Sequence, residues 1–296
     1  MFVIIGIAVV LVGVLGGYML HGGPLGVLLQ WSEFMIIGGA GLGSLLLGTP
    51  LRILKRMAGS VTSILQGDKY TKEEYLNVLK TMYELFNKAR REGLMTIEAH
   101  IEDPQTSSIF SKNEFLIHHH HALSFFCDTM KLMVGGGVPP QDLESLLEAD
   151  LDSHHAESST PPGLIQKLGD ALPGLGIVAA VLGIVITMQA IDGPPQEIGE
   201  KVAAALVGTF LGILMSYGFM QPIATHLELL GQSEARYLEC IKAGVVAFGK
   251  GTTPPMSVEF ARRVIFSDVR PTFAESEAAI RGTKSEAGDS EGAEAA

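Results

Sequence analysis

The sequence predicts an all-α fold: a polytopic membrane protein with four transmembrane helices and a helical cytoplasmic domain. Four apolar runs contain no Asp, Glu, Lys, Arg or His. A helix needs about 20 residues to cross a bilayer core, and most of these runs reach that length. They form two hairpins separated by a long polar segment, in which apolar residues recur at helical intervals and strand-like alternation is absent. The runs lie near Phe2–Leu20, Phe34–Leu47, Ala171–Ile191 and Val202–Met220.

Basic residues predict the orientation of these helices, because Lys and Arg collect on the cytoplasmic side. His21–Gln30, between the first two runs, has no Lys or Arg, whereas Arg52, Lys55 and Arg56 directly follow the second run. The second hairpin shows the same asymmetry. Both termini and the segment 51–170 are therefore expected in the cytoplasm. The first run has neither a basic n-region nor an A-x-A cleavage site, which argues against a signal peptide.

The pattern divides the chain into five parts. The second apolar run is the shortest and needs Trp31–Glu33 and Thr49–Leu51 to complete it. Because the four runs offer no ionisable group, a partner must supply the carboxylate if the protein handles ions. The predicted parts are a first hairpin at 1–50, a cytoplasmic helical domain at 51–170, a second hairpin at 171–225, cytoplasmic helices at 226–272 and a disordered acidic tail at 273–296. The first hairpin has spans at about 2–20 and 31–50, and the second has spans at about 171–191 and 202–222.

Local signals predict the helices of the polar segment. Thr71 and Glu74 have capping-box spacing and open an amphipathic helix that is expected to end near Arg91. Further helices are expected from about Thr96 to before Pro104, over about Asn113–Val134 and from Pro139-Pro140, followed by a loop at Ser158–Gly163.

Composition excludes several functions. The net charge of −11 argues against nucleic acid as a partner, since phosphate binding requires clustered Lys and Arg. Cys127 and Cys240 both fall on the cytoplasmic side, where a disulfide is not expected. No paired carboxylates or nucleophile–base set occurs near the membrane face, so we expect neither an enzyme nor a bound cofactor.

Histidine is concentrated at His118–His121, with His154 and His155 further along the chain. This pattern resembles a metal site or a tag at first sight. However, four consecutive histidines point around a helix rather than converging, and no second cluster lies at ligand spacing. We therefore predict no metal site.

Small residues and hydroxyl groups are the informative features of the apolar runs. Small residues four apart let helices approach closely, either within one chain or between subunits, and the sequence leaves both alternatives open. Residues seven apart share a helical face, which groups Pro173 with Ala180 and Thr209 with Ser216. Pro173 and Pro222 would loosen the helix ladders near the cytoplasmic ends of neighbouring spans. The spaced small residues are Gly13 and Gly17, Gly39 and Gly43, and Gly208, Gly212 and Ser216.

Several stretches of the chain carry a resemblance to a known family. They are Gly16-Gly17-Tyr18, Leu172-Pro173 with Gly176–Val181, Val207–Leu214, Ala247, Pro254-Pro255 and Val258–Phe260. Over nearly its full length the chain resembles the flagellar motor stator subunits of the MotA/TolQ/ExbB group of proton channels. Long ungapped matches of this kind are far more specific than a short motif.

The resemblance implies an ion-driven torque generator in the bacterial inner membrane, where five such chains surround two copies of MotB. MotB would supply the missing membrane Asp and a peptidoglycan anchor. Thr209 would line the ion path, and Pro173 and Pro222 would couple protonation to motion of the cytoplasmic domain. Sodium-driven relatives carry a hydroxyl where this chain has Ala180. A desolvated Na⁺ needs several oxygen ligands, so Ala180 predicts proton coupling.

The family also places charged contacts to the rotor protein FliG on the cytoplasmic segment, and the matching positions here are Arg90, Glu98 and Asp150. Exposed ion pairs contribute only about 0–1 kcal/mol each, which suits contacts that break at every step. The alternative within the group is an ExbB- or TolQ-like energiser of envelope transport, whose members usually have one span before the large cytoplasmic segment. A substrate transporter would show mid-membrane polar groups and inverted repeats, which this sequence lacks.

Overall fold

The computed structural model describes residues 2–64, 67–189 and 191–282, and within them the chain forms helices and turns with no strand. The predicted all-α architecture is confirmed. Four of the described helices are long and apolar enough to cross a membrane. In chain order the helices are α1 (Phe2–Leu20), α2 (Leu25–Leu28), α3 (Trp31–Gly48), α4 (Leu51–Ser63), α5 (Lys72–Glu92), α6 (Glu98–Glu102), α7 (Glu114–His118), α8 (His120–Val134), α9 (Pro140–Met188), α10 (Pro195–Ile213), α11 (Gln221–Gly249) and α12 (Pro254–Val264).

The chain divides into two compact units, which we call the membrane unit (Met1–Gly67 and Ala156–Gly231) and the polar unit (Asp68–His155 and Gln232–Ala296). This division differs from the predicted domains. Residues 51–67 and 156–170, expected in the cytoplasmic domain, group with the membrane unit. Most of the predicted C-terminal helical part groups with the polar unit. The reason is that α9 and α11 run without interruption through the expected boundaries.

The membrane unit is built around α3, α9 and α10. Helix α3 buries one stripe of residues four apart, which share a helical face. A Cβ atom added at Gly41 on this stripe would lie 3.2 Å from the Leu168 side chain of α9. Helix α1 has no buried residue, although Val3 packs against a buried cluster of the membrane unit and Val10 lies close to Gly218. Much of its apolar surface is therefore left for lipid or another subunit. The stripe on α3 consists of Glu33, Ile37, Gly41 and Leu45.

Helix α4 follows the second span directly and has basic residues beside apolar ones. Such a helix is typical of a membrane interface. Arg56 Nη2 of α4 lies 2.7 Å from Glu157 Oε2 of α9 within the same unit, although both side chains are more than half exposed. That exposure limits the ion pair to a small contribution.

The polar unit has an aromatic core between α5, α8 and α11. Phe86 and Phe248 stack with their ring centroids 4.5 Å apart, and Phe126 packs edge-on against Phe86. The predicted cap of α5 forms, since the Thr71 hydroxyl accepts a hydrogen bond from the Glu74 backbone N–H at 3.4 Å. The amphipathic pattern therefore buries one face of α5 as expected.

The prediction of a loop at Ser158–Gly163 is wrong, because this segment lies inside the 49-residue helix α9. The helix expected from Pro139-Pro140 does begin at Pro140, but it continues through that segment as the first part of α9. Pro161 and Pro162 each remove a backbone donor from the helix ladder, but both are buried together with Ile165. Tertiary packing therefore outweighs the local proline signal.

The helix predicted over 113–134 is divided at His119 into α7 and α8. Asn113 caps α7 by accepting a hydrogen bond from the Leu116 N–H at 3.0 Å. The predicted tail is also helical over residues 273–282, while residues 283–296 lie outside the described residues. A reciprocal capping box explains this helix, because Thr272 Oγ1 accepts from the Glu275 N–H at 3.2 Å and Glu275 Oε2 accepts from the Thr272 N–H at 2.7 Å.

Candidate functional site

Glycine residues let α9 and α10 approach each other closely. A Cβ atom added at Gly212 would lie 2.6 Å from the carbonyl oxygen of Leu172 and 2.9 Å from the Cα of Gly176. A Cβ added at Gly176 would lie 2.7 Å from the carbonyl oxygen of Gly208. These distances are well below the 3.5–4.0 Å or so of a favourable carbon contact, so only glycine fits without moving the helices. Gly208 and Gly212 therefore pack within the chain.

The small residues of the first hairpin behave differently. A Cβ added at any of them would meet no atom within 4 Å among the described residues. They consequently leave open surface on α1 and α3, where a second subunit or lipid can lie against the backbone. These residues are Gly13, Gly17, Gly39 and Gly43.

The predicted ion-path residues Ala180 and Thr209 both lie at the α9–α10 glycine contact. A Cβ added at Gly208 would be 3.2 Å from the backbone nitrogen of Ala180, and one at Gly176 would be 3.3 Å from the Cα of Thr209. Both residues are half-buried. Within residues 2–64, 67–189 and 191–282, the hydroxyl of Thr209 forms no hydrogen bond. It is therefore available to an ion, a water molecule or a partner side chain.

A carboxylate at the same interface was missed by the sequence reasoning. Glu33 lies in α3, is only 5% exposed, and its Oε2 finds no hydrogen-bond partner in the described part of the chain. On α10, a Cβ added at Gly208 would collide with Glu33 Oε2. The start of α3 at Trp31 agrees with the predicted span at about 31–50, and this span includes Glu33, so the expectation that the spans contain no ionisable group is wrong for α3.

The signal for Glu33 was its spacing. It precedes Ile37 by four residues and so continues the buried stripe of α3, which a search for uncharged runs cannot show. A buried carboxylate oxygen without a hydrogen-bond partner is unfavourable in an apolar environment. Such a residue inside a membrane helix is by default a candidate for function.

The two predicted hinge prolines lie next to irregular or polar features of the membrane unit. Pro222 lies two residues beyond the end of a π-helical segment, Leu214–Met220, and it removes the backbone donor that would bind the carbonyl of Gly218. Segments of π-helix recur at functional sites. Gln221 Nε2 also donates to Asp170 Oδ1 at 3.0 Å and links the start of α11 to α9. Pro173, half-buried, lies inside α9 three residues beyond Asp170.

The three predicted rotor-contact residues are exposed on the polar unit and form no ion pair with any described residue. Arg90, in the last turn of α5, and Glu98, at the start of α6, flank the turn at Gly93, whose φ of 100° is in the left-handed region that favours glycine. Met95 between them is 65% exposed. Asp150 lies on α9 and lines a different groove from that of Glu98.

The histidine segment also departs from expectation. His121 approaches His154 and Glu234, and one potential ligand atom of each lies within 4.8 Å of the others. The prediction that no second group lies at ligand spacing from this segment is therefore wrong. Residues far apart in the chain complete the cluster, and sequence spacing cannot reveal them.

Four long apolar helices, a helical polar unit and a glycine-packed α9–α10 contact are the features of a polytopic membrane protein. Family models match the chain twice: Motility protein A N-terminal over residues 4–93 and the MotA/TolQ/ExbB proton channel family over residues 118–239. Motility protein A of Salmonella typhimurium is 36% identical over 96% of each chain. Chemotaxis protein LafT of Vibrio parahaemolyticus is 38% identical over 92% of this chain and 96% of its own.

Among solved structures, that of C. jejuni MotAB matches with a TM-score of 0.76, covering 92% of this chain and 98% of the other at 18% identity, which shows a shared fold. The identity to motility protein A over almost the whole length is much more specific. The chain belongs to the motility protein A family, the flagellar motor stator subunits within the MotA/TolQ/ExbB proton channels.

Proposed function

We propose that this stator subunit assembles with MotB in the bacterial inner membrane and converts proton flow through the complex into torque on FliG. The observation that carries the proposal is the close contact between α9 and α10. Ala180 and Thr209 both lie at this contact, and the buried carboxylate of Glu33 approaches it at Gly208. MotB would add a membrane Asp to this site. Protonation of that Asp is the step that the channel would couple to movement.

The available ligand atoms favour a proton over Na⁺. A hard cation that has lost its water requires several oxygen ligands, and Ala180 offers no side-chain oxygen. Thr209 and Glu33 together offer few, and a carboxylate can accept a proton without any further ligand. The coupling of the cycle to motion would run through Pro173, Pro222 and the π-helical segment, because these are the places where the helix ladders are already interrupted.

The test is to express this chain with a MotB partner in flagellated cells that lack their own stators, and to record the rotation of tethered cells. Rotation that stops with a protonophore and is indifferent to external Na⁺ at fixed proton motive force is expected. Rotation speed that follows external Na⁺ under those conditions would refute proton coupling. Thr209→Val, which keeps the side-chain shape and removes the hydroxyl, should slow rotation, whereas Thr209→Ser should largely preserve it.

Arg90 and Glu98 are proposed to bind FliG, with Asp150 at a separate position. Their exposure and their lack of ion-pair partners in the described chain leave the charges available for a partner, and exposed Met95 adds apolar contact between them. Arg90→Glu should abolish or strongly reduce swimming while the stator still inserts and assembles. Arg91→Glu, the same charge change at the next exposed position of α5, is the control and should reduce swimming less.

Both termini and the polar unit are proposed to lie in the cytoplasm. The basic residues of α4 support this orientation, as does the segment Asp192–Lys201, which has only one Lys beside three acidic residues. Native Cys127 and Cys240 are buried, so a membrane-impermeant thiol reagent should give little background. A cysteine introduced at Gly26 should react from outside the cell, and one at Lys69 should react only after the cells are opened.

A ring of five chains around two MotB chains is the proposed assembly. The surface left by α1 and by the glycines of the first hairpin supports subunit contacts, because that surface is apolar and closely approachable. Native mass spectrometry of the purified complex tests the ratio directly. A mass that corresponds to another number of chains would refute it.

A further inference from the structure

Three polar side chains from three different helices meet in the polar unit. His121 is in the first turn of α8, His154 is on α9 and Glu234 is on α11. The imidazole rings of His121 and His154 have centroids 4.2 Å apart. His154 Nε2 lies 3.5 Å from Glu234 Oε1, and one potential ligand atom from each of the three residues lies within 4.8 Å of the others.

A simple ion pair accounts poorly for this cluster. The 3.5 Å separation is long for a charge-assisted hydrogen bond, which is usually about 2.7–2.9 Å. The other ring nitrogen of His154, Nδ1, is buried and has no hydrogen-bond partner among the described residues. Imidazole nitrogen atoms are common ligands of transition-metal ions.

The same spacing agrees well with shared coordination. In a tetrahedral site with bonds of about 2.0–2.1 Å, neighbouring ligand atoms are roughly 3.3 Å apart. The His154–Glu234 distance is already close to this value. His121 is exposed and lies on the solvent side of the group, with its ring centroid 4.2 Å from that of His154.

We propose that His121, His154 and Glu234 form a binding site for Zn²⁺ or a chemically similar divalent transition-metal ion. Two imidazoles and one carboxylate are a donor set for such ions and not for Mg²⁺ or Ca²⁺, which take oxygen ligands. Water would occupy the fourth position. The ion would cross-link α8, α9 and α11 and stabilise the folded polar unit, since binding to the folded chain alone shifts the folding equilibrium.

The experiment titrates the full-length chain in detergent, first stripped with a chelator, with ZnCl₂ and in parallel with CoCl₂. We expect one Zn²⁺ per chain, the visible absorption of tetrahedral Co²⁺, and a melting temperature raised by roughly 5–10 °C at 100 times the dissociation constant. His121→Gln and Glu234→Asp should each weaken Zn²⁺ binding by at least about 10-fold.

The controls are His118→Gln and His120→Gln, which alter the same histidine segment outside the cluster and should bind Zn²⁺ as the unchanged chain does. Exposed His121 can be replaced without opening the core, so its variant should melt at the unchanged temperature when metal is absent. The proposal is overturned if binding is absent or is not stoichiometric. It is also overturned if His118→Gln weakens binding as much as His121→Gln, because the histidine run alone would then hold the ion.

Discussion

Replacing Gly212 by Ala tests whether the contact between α9 and α10 holds the membrane unit together. The new Cβ would lie 2.6 Å from the Leu172 carbonyl oxygen and 2.9 Å from the Gly176 Cα. Because favourable contacts of this kind are about 3.5 Å or longer, the two helices must separate by roughly 0.5–1 Å. Overpacking typically costs about 1–3 kcal/mol, and the better helix propensity of Ala returns up to about 1 kcal/mol. We expect a net destabilisation of about 1–2 kcal/mol.

The matched control is Gly43→Ala, in a membrane helix where the added Cβ meets nothing within 4 Å. Denaturant unfolding of the isolated chain in detergent, followed by circular dichroism, should show Gly212→Ala unfolding earlier than the unchanged chain and Gly43→Ala unfolding at the same point or later. The displacement also shifts Thr209 and Ala180, which both lie at this helix contact, so motility should fall with Gly212→Ala. If Gly212→Ala is as stable as Gly43→Ala, the close helix contact is not a feature of the folded protein and the reasoning fails.

Three further predictions concern individual side chains. Glu33→Gln removes the buried charge at nearly constant shape, and it should leave thermal stability undiminished while reducing proton-driven rotation; unchanged rotation would exclude an ion-path role. Pro222→Ala restores a backbone donor to Gly218 and should slow rotation without lowering expression of the stator, as tethered cells would show. Glu259 binds the buried Arg262 guanidinium at 2.7 Å through both carboxylate oxygens, and this hydrogen bonding lowers the pKa of Glu259. The stabilisation from this ion pair is therefore present above the unfolded pKa of about 4.3 and is lost as the pH falls. In denaturant unfolding, Glu259→Gln should destabilise the fold by about 1–3 kcal/mol at pH 7 and by much less near pH 3.

Much of the fold follows from patterns that act over short distances. Apolar runs of membrane length predicted the four long helices, and the capping box at Thr71 predicted the start of α5. The capping box between Thr272 and Glu275 has the same spacing. However, the acidic, Ala-rich composition that follows it is typical of a disordered tail, so the sequence does not predict the helix there. The helical stretch through Pro161 was not predictable locally, because the burial that compensates for its lost hydrogen bond comes from distant segments.

The residues of the candidate site likewise differ in whether the sequence could predict them. Ala180 and Thr209 could be placed on neighbouring helices from sequence, since both lie in long stretches of family resemblance. A search for apolar runs without charged residues cannot find Glu33. Its position four residues before Ile37, on the buried stripe of α3, is nevertheless visible in the sequence. The cluster of His121, His154 and Glu234 depends on the packing of three helices, and no periodicity within any one of them specifies it.

The sequence left open whether the small residues pack within one chain or between subunits. The structure gives a different answer for each of the two hairpins. In the second hairpin, Gly208 and Gly212 are in contact with the backbone of α9, so their smallness is used within the chain. In the first hairpin, a Cβ added at Gly13 or Gly43 would meet no described atom within 4 Å, and no residue of α1 is buried. A glycine in a helix interior destabilises by up to about 1 kcal/mol relative to Ala, so several open glycines are unfavourable for an isolated subunit. Close contact with neighbouring subunits would offset this effect, and the same residues that weaken one chain alone would then favour the assembled ring.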